Sequence, residues 1–455
     1  MTQGLSGKRV LVMGLGLFGG GVGATRFLVR KGAEVVVTDL RSEGELASSL
    51  QALAGLPVQF KLGGHDVDDF RHADLVVANP AVPRSSPFLL AAEEANVPIT
   101  TEICLFVRHC PAKIIGVTGS SGKTTTTMLI GEILKRVDAR TLVGGNMGRS
   151  LLGDVDQIDL DVPVVLELSS FQLDRLGELK WSPNIAVVTN FAPNHIDVHG
   201  SLDAYRNAKR NILTHQTSDD WAILNADDAE VFGWNHFGER ISFGLTNDCG
   251  TGVFIHDDTI CSEVHGQVEP ICAVNALQLP GQHNVANAMA AVGTAIAWGV
   301  PLSEIQPALQ SFSGVPHRLE RIAVINDVTY VNDSIATSPD RTLVALEAVD
   351  GKCILIAGGY DKKIAFDNLG EAIASNVEHL ILQGQTAQAI ASVVPDCATT
   401  QTHFVKDLSA AVSLASSLAV PSSTVLLSPA SASYGQFLNF EARGECFKEL
   451  VHALN

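Results

Sequence analysis

The sequence predicts an α/β protein of three successive domains, each built on a mainly parallel sheet, and three observations carry that prediction. Short apolar runs closed by glycine, asparagine, aspartate or proline alternate with segments of helical periodicity along the 455 residues, which is the pattern of strands joined by crossover helices. The composition is 46% hydrophobic and only 18% charged, as expected when parallel strands are buried on both faces. At roughly 100–200 residues per domain the length admits two to four cores. Turn-forming stretches near Pro111 and in "SFSGVPHR" divide the chain into 1–110, 111–314 and 315–455.

The first block opens with strand "KRVLVMG", a helix near Gly21–Lys31, strand "AEVVVTD", and later "ADLVVANP" and "NVPITTE". Its "GLGLFGG" reads as Gly14-x-Gly16-x-x-Gly19, and Asp39 ends the neighbouring strand where a ribose-binding carboxylate sits in a dinucleotide fold. Taken alone, this is a dehydrogenase signal. The second block has strands "KIIGVTG", "VPVVLELSS", "NIAVVTN" and "DWAILNADD". An irregular stretch from Trp234 to Leu279 follows, in which "FGERISFG" and "TGVFIHD" read as short antiparallel strands, and then the helix "NVANAMAAVGTAIAWG". The third block supplies "RIAVINDVTYVND", "KCILIAGG", "EHLILQG" and "STVLLSPA" as strands, completing a Rossmann-like N-terminal domain, a central P-loop domain with a small antiparallel sheet, and a Rossmann-like C-terminal domain.

A net charge of −18 argues against a general grip on nucleic acid or anionic membranes, so any anionic ligand must be held by a few placed groups. The opening "MTQGLSGKRV" lacks a signal-peptide core, and the apolar run Ala286–Val300 is shorter than the ~20 residues a membrane helix needs. A cytoplasmic, monomeric protein is expected. The eight cysteines form no CxxC pair, which points to neither zinc nor a disulfide framework.

The most specific chemistry lies in "IIGVTGSSGKTTTT". A glycine-rich turn between strand and helix aims backbone N–H groups at phosphate oxygens, Lys123 adds a point charge, and the Thr124 hydroxyl can ligate Mg²⁺. The loop is shorter than the usual Walker motif, since Val117 stands where its first glycine belongs. Glu167 ends the run "VVLELSS", where a buried carboxylate calls for a cation, although a strand-end glutamate serves as often to cap a helix. His195, Asp197 and His199 follow another strand, with Lys209 on the next helix. Without cysteines beside them, and with a P-loop nearby, Mg²⁺ is favoured over zinc; taken singly, each histidine reads as a loop residue and Lys209 as a solvated helix lysine.

In order, "GVTGSSGKTT", "LELSSFQL", "TNFAPNHIDVHGS…AYRNAK", "GQHNVANAMAA", "GVPHRLE", "NDSIATS" and "LSPASASYGQFLNFEARG" resemble the motifs of the Mur ligase family over nearly the whole chain. The last resembles members that add D-glutamate to UDP-N-acetylmuramoyl-L-alanine. The resemblance implies ATP-dependent amide synthesis through an acyl phosphate, in peptidoglycan precursor formation. It implies ATP contacts from Gly119, Ser120, Ser121, Gly122, Lys123, Thr124 and Thr125, with Asn284 near the adenine, Arg318 beside His317 at the phosphates and Asp333 at the ribose. Two Mg²⁺ sites would draw on Thr124, Glu167, His195 and Lys209, the lysine as an N6-carboxylated carbamate; Lys123, Glu167, His195 and Lys209 would be catalytic. The glycine-rich opening would hold a UDP-sugar and not NAD, with Leu17, Phe18, Asp39, Arg41, Asn79 and Asn146 around it. D-glutamate would meet Thr337, Lys362 (Lys363 remaining an alternative), Ser433 and Phe440. Closure of the third domain over ATP is a further implication. The chain departs from many relatives at Ile335, where they carry lysine, and at Ser338-Pro339, which replaces an asparagine. A P-loop kinase, or a relative adding another amino acid or glutamates to folate, is the competing reading.

Overall fold

The computed structural model describes residues 4–454 apart from 17–18, 81, 148–149, 246–251, 265, 280, 350, 362–363 and 396. The chain forms two compact units, Met1–Phe312 and Ser313–Asn455.

The first unit carries two sheets. β1 (Arg9–Met13), β2 (Glu34–Asp39), β3 (Val58–Leu62), β4 (Leu75–Ala78) and β5 (Ile99–Thr100) make an all-parallel sheet in the order 3-2-1-4-5. Alternate residues of β1 serve opposite layers, as the two-residue strand period requires. Val10 and Val12 pack with Phe27 and Leu28 of the helix Gly20–Arg30, and Leu11 and Met13 with Phe70 and Leu89. The strand order reverses beside β1, so the crevice beyond Met13 and Ala78 is the place where an open α/β sheet binds ligands.

β6 (Ile114–Thr118), β7 (Leu142–Gly145), β8 (Val164–Glu167), β9 (Ile185–Val188), β10 (Trp221–Asn225), β11 (Glu239–Phe243), β12 (Gly252–His256), β13 (Thr259–Val264) and β14 (Gln267–Ala273) form one sheet in the order 14-13-12-11-10-9-6-8-7. Here "FGERISFG" departs from its antiparallel expectation. β11 runs parallel to β10, because the short helix Ala229–Phe232 provides a crossover and makes this a βαβ step. Antiparallel pairing begins only at β12–β13 and continues to β14, so the antiparallel strands extend the main sheet. Pro270 is accommodated on β14 because that strand is the sheet edge. The helix Glu102–His109 buries Ile103, Leu105 and Phe106 in the same apolar cluster as Val12 of β1 and Leu166 of β8. That shared core is the physical reason the first two sheets belong to one unit.

The second unit holds β15 (Glu320–Ile325), β16 (Val328–Asn332), β17 (Cys353–Ala357), β18 (Val377–Leu382), β19 (Gln401–Phe404) and β20 (Thr424–Leu427) in the order 15-16-20-17-18-19. Only β15 is antiparallel. Its turn to β16 places Asn326 and Asp327 at φ 52° and 63°, the left-handed pair that a two-residue hairpin demands and that these side chains tolerate. Leu355, Leu380 and Leu426 face one helical layer, and Ile354, Ile381 and Val425 the other. Among the described residues, no helix is long and apolar enough to cross a membrane.

Leu355 is fully buried at the centre of this last sheet. Leu355→Ala is expected to destabilise the second unit by about 2–5 kcal/mol. Hydrogen exchange checks it: protection should fall at β17 and β20 amides and stay unchanged in β6.

Candidate active site

The crevice beyond β6 is built by local conformational necessity. Gly122 caps the helix Lys123–Val137 at φ 77°, and a Cβ there would lie 2.3 Å from Asn287 Oδ1. Gly119, at φ 154°, would place a Cβ 1.9 Å from Thr189 Oγ1. Only glycine fits either position. The loop between them is braced from the end of β9: Ser121 N donates to Asn190 Oδ1 at 2.9 Å, and Thr189 Oγ1 donates to the Ser121 carbonyl at 2.6 Å. Lys123 Nζ folds back onto the carbonyls of Gly119 and Ser120 at 3.0 and 3.1 Å. Thr125 and Asn284 meet in a shallow apolar cleft with Leu129, Leu277, Leu279 and Ala288.

Glu167, 3% exposed, closes β8 at the rim of this loop. Thr124 Oγ1 donates to its Oε2 at 2.6 Å and Asn146 Nδ2 to its Oε1 at 3.0 Å. Just beyond it, Ser169 and Gln172 form a capping box that starts the helix Ser170–Glu178, which fixes the direction in which the chain leaves the carboxylate. A threonine hydroxyl and a carboxylate oxygen side by side suit Mg²⁺, a hard cation that takes few protein oxygens and completes its shell with phosphate and water. Among the described residues no group of three or more His, Cys, Asp and Glu side chains is placed to hold a metal ion.

Lys209 is 2% exposed on the helix Leu202–Thr214. Its Nζ donates to the Gly119 carbonyl at 2.8 Å and lies 5.0 Å from the centre of the Tyr205 ring. Burial, reinforced by the Lys123 charge and opposed by Glu167, pushes the Lys209 ammonium down to about 7. Tyr205 contacts Ser120 through its hydroxyl at 3.1 Å. His195 caps the short helix Ile196–His199 at φ 50°, with its ring 5.5 Å from that of Phe171. His199 stacks on Phe171 at 4.8 Å and meets Ser170 Oγ through Nε2 at 3.0 Å. The structure therefore brings Gly119–Thr125, Glu167 and Lys209 to one crevice, with His195 beside it, its ring 6.2 Å from that of Tyr205.

At the first sheet, Asn79 at the end of β4 reaches Gly14 beyond β1, its Nδ2 donating to the Gly14 carbonyl at 3.3 Å. The Asp39 carboxylate accepts from Gly16 N at 3.1 Å and Arg41 N at 2.9 Å, so it holds the glycine loop as well as facing the crevice edge. Leu17 and Phe18 lie outside the described residues. Asn146, expected among the UDP-substrate residues, has its side-chain amide on Glu167 Oε1 at 3.0 Å.

In the second unit, Thr337 lines a small pocket with Tyr360, Ile364, Phe366, Ala430 and Ser431, beyond the ends of β16, β20 and β17. Ser433 is buried two residues further along, and Phe440 opens the helix Phe440–His452, its carbonyl accepting from Ser334 Oγ at 2.8 Å. Lys362 and Lys363 lie outside the described residues. Asp333, closing β16, accepts from Ser428 Oγ at 2.8 Å and Leu319 N at 3.2 Å. Burial pushes its carboxyl up to about 6 against those hydrogen bonds and the nearby charge of the exposed Arg318. Ser338 precedes Pro339, which takes the first position of the helix Pro339–Glu347; proline is suited there because that N–H has no intrahelical partner.

Three family models cover the chain: a Mur ligase MurD-like N-terminal domain at residues 8–101, a Mur ligase middle domain at 117–295, and a Mur ligase glutamate ligase domain at 317–431. A UDP-N-acetylmuramoylalanine–D-glutamate ligase of Roseiflexus sp. is 42% identical with 99% of both chains covered. That of Symbiobacterium thermophilum is 40% identical, with 98% of each covered. The chain belongs to the Mur ligase family. Its fold is likewise similar to the solved UDP-N-acetylmuramate–alanine ligase of Thermotoga maritima, with a TM-score of 0.57 at 20% identity over 98% of this chain and 100% of that one.

Several residues of this Mur ligase site escape a reading of the sequence. Asn190, Thr189 and Asn287 brace the glycine loop from a strand end and a helix far along the chain; all three lie within the quoted stretches "TNFAPNHIDVHGS" and "GQHNVANAMAA", but nothing in one dimension says what they touch. Arg443 is 1% exposed and donates to the Ser334 and Ser431 carbonyls at 2.9 and 3.0 Å, yet on paper it is one more charged residue of an amphipathic helix.

The Lys209 environment makes a signed prediction. The unfolded lysine holds its proton up to about 10.5, the folded one only to about 7. Between those values the unfolded chain binds more protons, so the folded state gains stability as pH rises; below 7 the penalty of the buried cation is fully present. In metal-free, CO₂-depleted buffer, Lys209→Met is expected to raise the unfolding temperature near pH 6, by a margin that shrinks toward pH 10. A margin independent of pH would contradict the assignment.

Proposed function

We propose that this chain joins D-glutamate to the alanyl carboxylate of UDP-N-acetylmuramoyl-L-alanine at the expense of ATP, a cytoplasmic step in the synthesis of peptidoglycan precursors. The observation that carries the reaction class is the Gly119 crevice, where two lysines, a threonine hydroxyl and a buried carboxylate converge on one phosphate loop. The full-length relatives named D-glutamate ligases carry the amino acid.

A carboxylate is a poor electrophile, so its oxygen attacks the γ-phosphorus of ATP; the bond to ADP breaks and an acyl phosphate forms. The D-glutamate amine then attacks the acyl carbon, phosphate leaves, and the amine gives up a proton as the amide forms. Two anions meet in the first step, which makes charge neutralisation the main catalytic task. Lys123 turns from the Gly119 and Ser120 carbonyls to the β/γ-phosphates, and the loop amides of Gly119–Thr125 cradle the rest. Thr124 and Glu167 would hold one Mg²⁺, and His195 with Lys209 as a carbamate would hold a second. Bound there, Mg²⁺ supplies Lewis-acid neutralisation of oxygen charge. The Lys209 amine is suited to carbamate formation because, with its pKa near 7, a large neutral fraction is available to attack CO₂ at physiological pH, releasing one proton. Asn284 takes the adenine, Arg318 the phosphates with its planar fork, and Asp333 the ribose. The UDP moiety occupies the glycine loop with Leu17, Phe18, Asp39, Arg41 and Asn79. Thr337, Lys362, Ser433 and Phe440 take D-glutamate, the lysine pairing with a carboxylate. Domains 1–110, 111–314 and 315–455 thus divide substrate, nucleotide and amino acid among themselves in a monomer.

Phosphate release with ATP, the UDP substrate and a panel of amino acids tests the reading. D-glutamate alone should support turnover, Glu167→Gln should lower kcat at least about 100-fold, and release independent of D-glutamate would refute the assignment. Lys209→Ala should be nearly inactive and partly rescued by added short carboxylates; full activity without them would remove the carbamate.

A further inference from the structure

The segment "NPAVPRSSP" from Asn79 to Pro87 follows β4 beside the glycine loop and runs into the helix Pro87–Glu94 of the first sheet, and on its way the Arg84 side chain reaches a helix packed on the central sheet. At its start Asn79 N donates to the Met13 carbonyl at 2.9 Å, and a Cβ on Gly14 would lie 2.9 Å from that of Asn79, so this turn is pressed against the loop. Pro80, Pro83 and Pro87 fix φ along the segment, and turns at Asn79–Val82 and Pro83–Ser86 are closed by backbone bonds of 2.9 and 3.0 Å. From Val82 to Pro87 the segment is a stiff strut.

Its one charged residue is Arg84, the only Asp, Glu, Lys or Arg between Asp74 and Glu93. The guanidinium takes Asp174 Oδ2 through Nε at 2.8 Å and Nη2 at 2.6 Å, and Glu178 Oε1 through Nη1. Asp174 and Glu178 lie one turn apart on the helix Ser170–Glu178, which starts three residues after Glu167. The same helix presses on the one that carries Lys209: Asn211 Nδ2 donates to the Leu173 carbonyl at 3.2 Å, and a Cβ on Gly177 would meet that amide at 2.4 Å. Arg84 therefore ties the turn beside Gly14 to the helix that sets the position of both Glu167 and Lys209.

We propose that Arg84 is a positioning residue that sets the spacing between the UDP-binding turn and the phosphoryl-transfer crevice. This rests on the ligase reading above. A substrate held at its uridine end by the glycine loop has to present its far carboxylate to the crevice, and a misplacement of an ångström there costs rate. The ion pairs are well exposed, with side chains 46%, 38% and 47% accessible; such pairs contribute little to folding, so their loss loosens the strut and leaves the fold intact. Lys31 forms a second ion pair between the same two sheets' layers, with Asp156 at 2.6 Å, at the end of its helix remote from the glycine loop, and supplies the comparison.

Steady-state kinetics of Arg84→Ala should show KM for the UDP substrate raised about 3- to 10-fold, KM for ATP within twofold of wild type, and an unfolding temperature within about 2 °C of it. Arg84→Lys should recover part of the loss, and Lys31→Ala should behave as wild type. An unchanged KM for the UDP substrate in Arg84→Ala overturns the proposal, as does an equal change in Lys31→Ala or equal rises for all three substrates. A wild-type chain inactive with D-glutamate refutes the ligase reading instead; calorimetric titration of the UDP substrate into wild type and Arg84→Ala then still decides the role of Arg84, with equal affinities overturning it.

Discussion

Two ammonium groups share one peptide carbonyl at the centre of this molecule. Lys123 and Lys209 both donate to the Gly119 oxygen, at 3.0 and 2.8 Å, and this crowding of like charge in a buried place is tolerable only because Glu167 stands opposite and because one of the two gives up its proton near neutral pH. The arrangement stores an attraction for polyanions. A chain carrying a net charge of −18 repels nucleotides over most of its surface, so this one crevice must overcome the general field with fixed charges and oriented amides. Every element around it serves to keep those groups together in the absence of ligand.

The architecture follows from that requirement. Parallel strands deliver their C-terminal ends to one rim, and β6, flanked by β8 and β9, brings the phosphate loop, Glu167 and Asn190 side by side from three distant segments. Helices then carry what strands cannot: Lys209 from the crossover between β9 and β10, and the Asn287 that roofs Gly122 from the helix Gln282–Trp298 that follows β14. The same logic recurs at the first sheet, where Asn79 meets Gly14 across the reversal of strand order. One apolar cluster running through the helix Glu102–His109 joins the two sheets, and Arg84, on the proline-rich segment after β4, ties them from the surface.

The second unit uses buried charge in a different way. The Arg443 guanidinium donates to the Ser334 and Ser431 carbonyls and the Ser334 hydroxyl, and burial lowers it to about 9 while Asp333, itself raised to about 6, pulls it back up. Two loops that flank the small Thr337–Ser431 pocket are thereby tied to a single helix. The next residue, Gly444, makes room for the His317 ring, since a Cβ there would lie 2.1 Å from His317 Nδ1.

Much of this was open to reading in one dimension, because it depends on neighbours in sequence. Apolar runs closed by turn formers mark the strands and "SSGKTT" marks the glycine loop at the head of a helix, whereas "RIAVINDVTYVND" reads as strand throughout and folds as a hairpin turning at Asn326 and Asp327. The parallel course of β11 was misread because a four-residue crossover helix is too short to show a period. Everything that depends on separation in the chain waited for the fold. Glu167 becomes a buried carboxylate with both oxygens engaged only when Thr124 and Asn146 close on it, Lys209 becomes a near-neutral amine only when buried beside Lys123, and Arg84 becomes a brace only when Asp174 and Glu178 arrive from ninety residues away. Sequence determines conformational permission and local hydrogen bonding. Burial and the electrostatic field are sums over the whole assembled chain, and for that reason the chemical state of each charged group was decided by the tertiary structure alone.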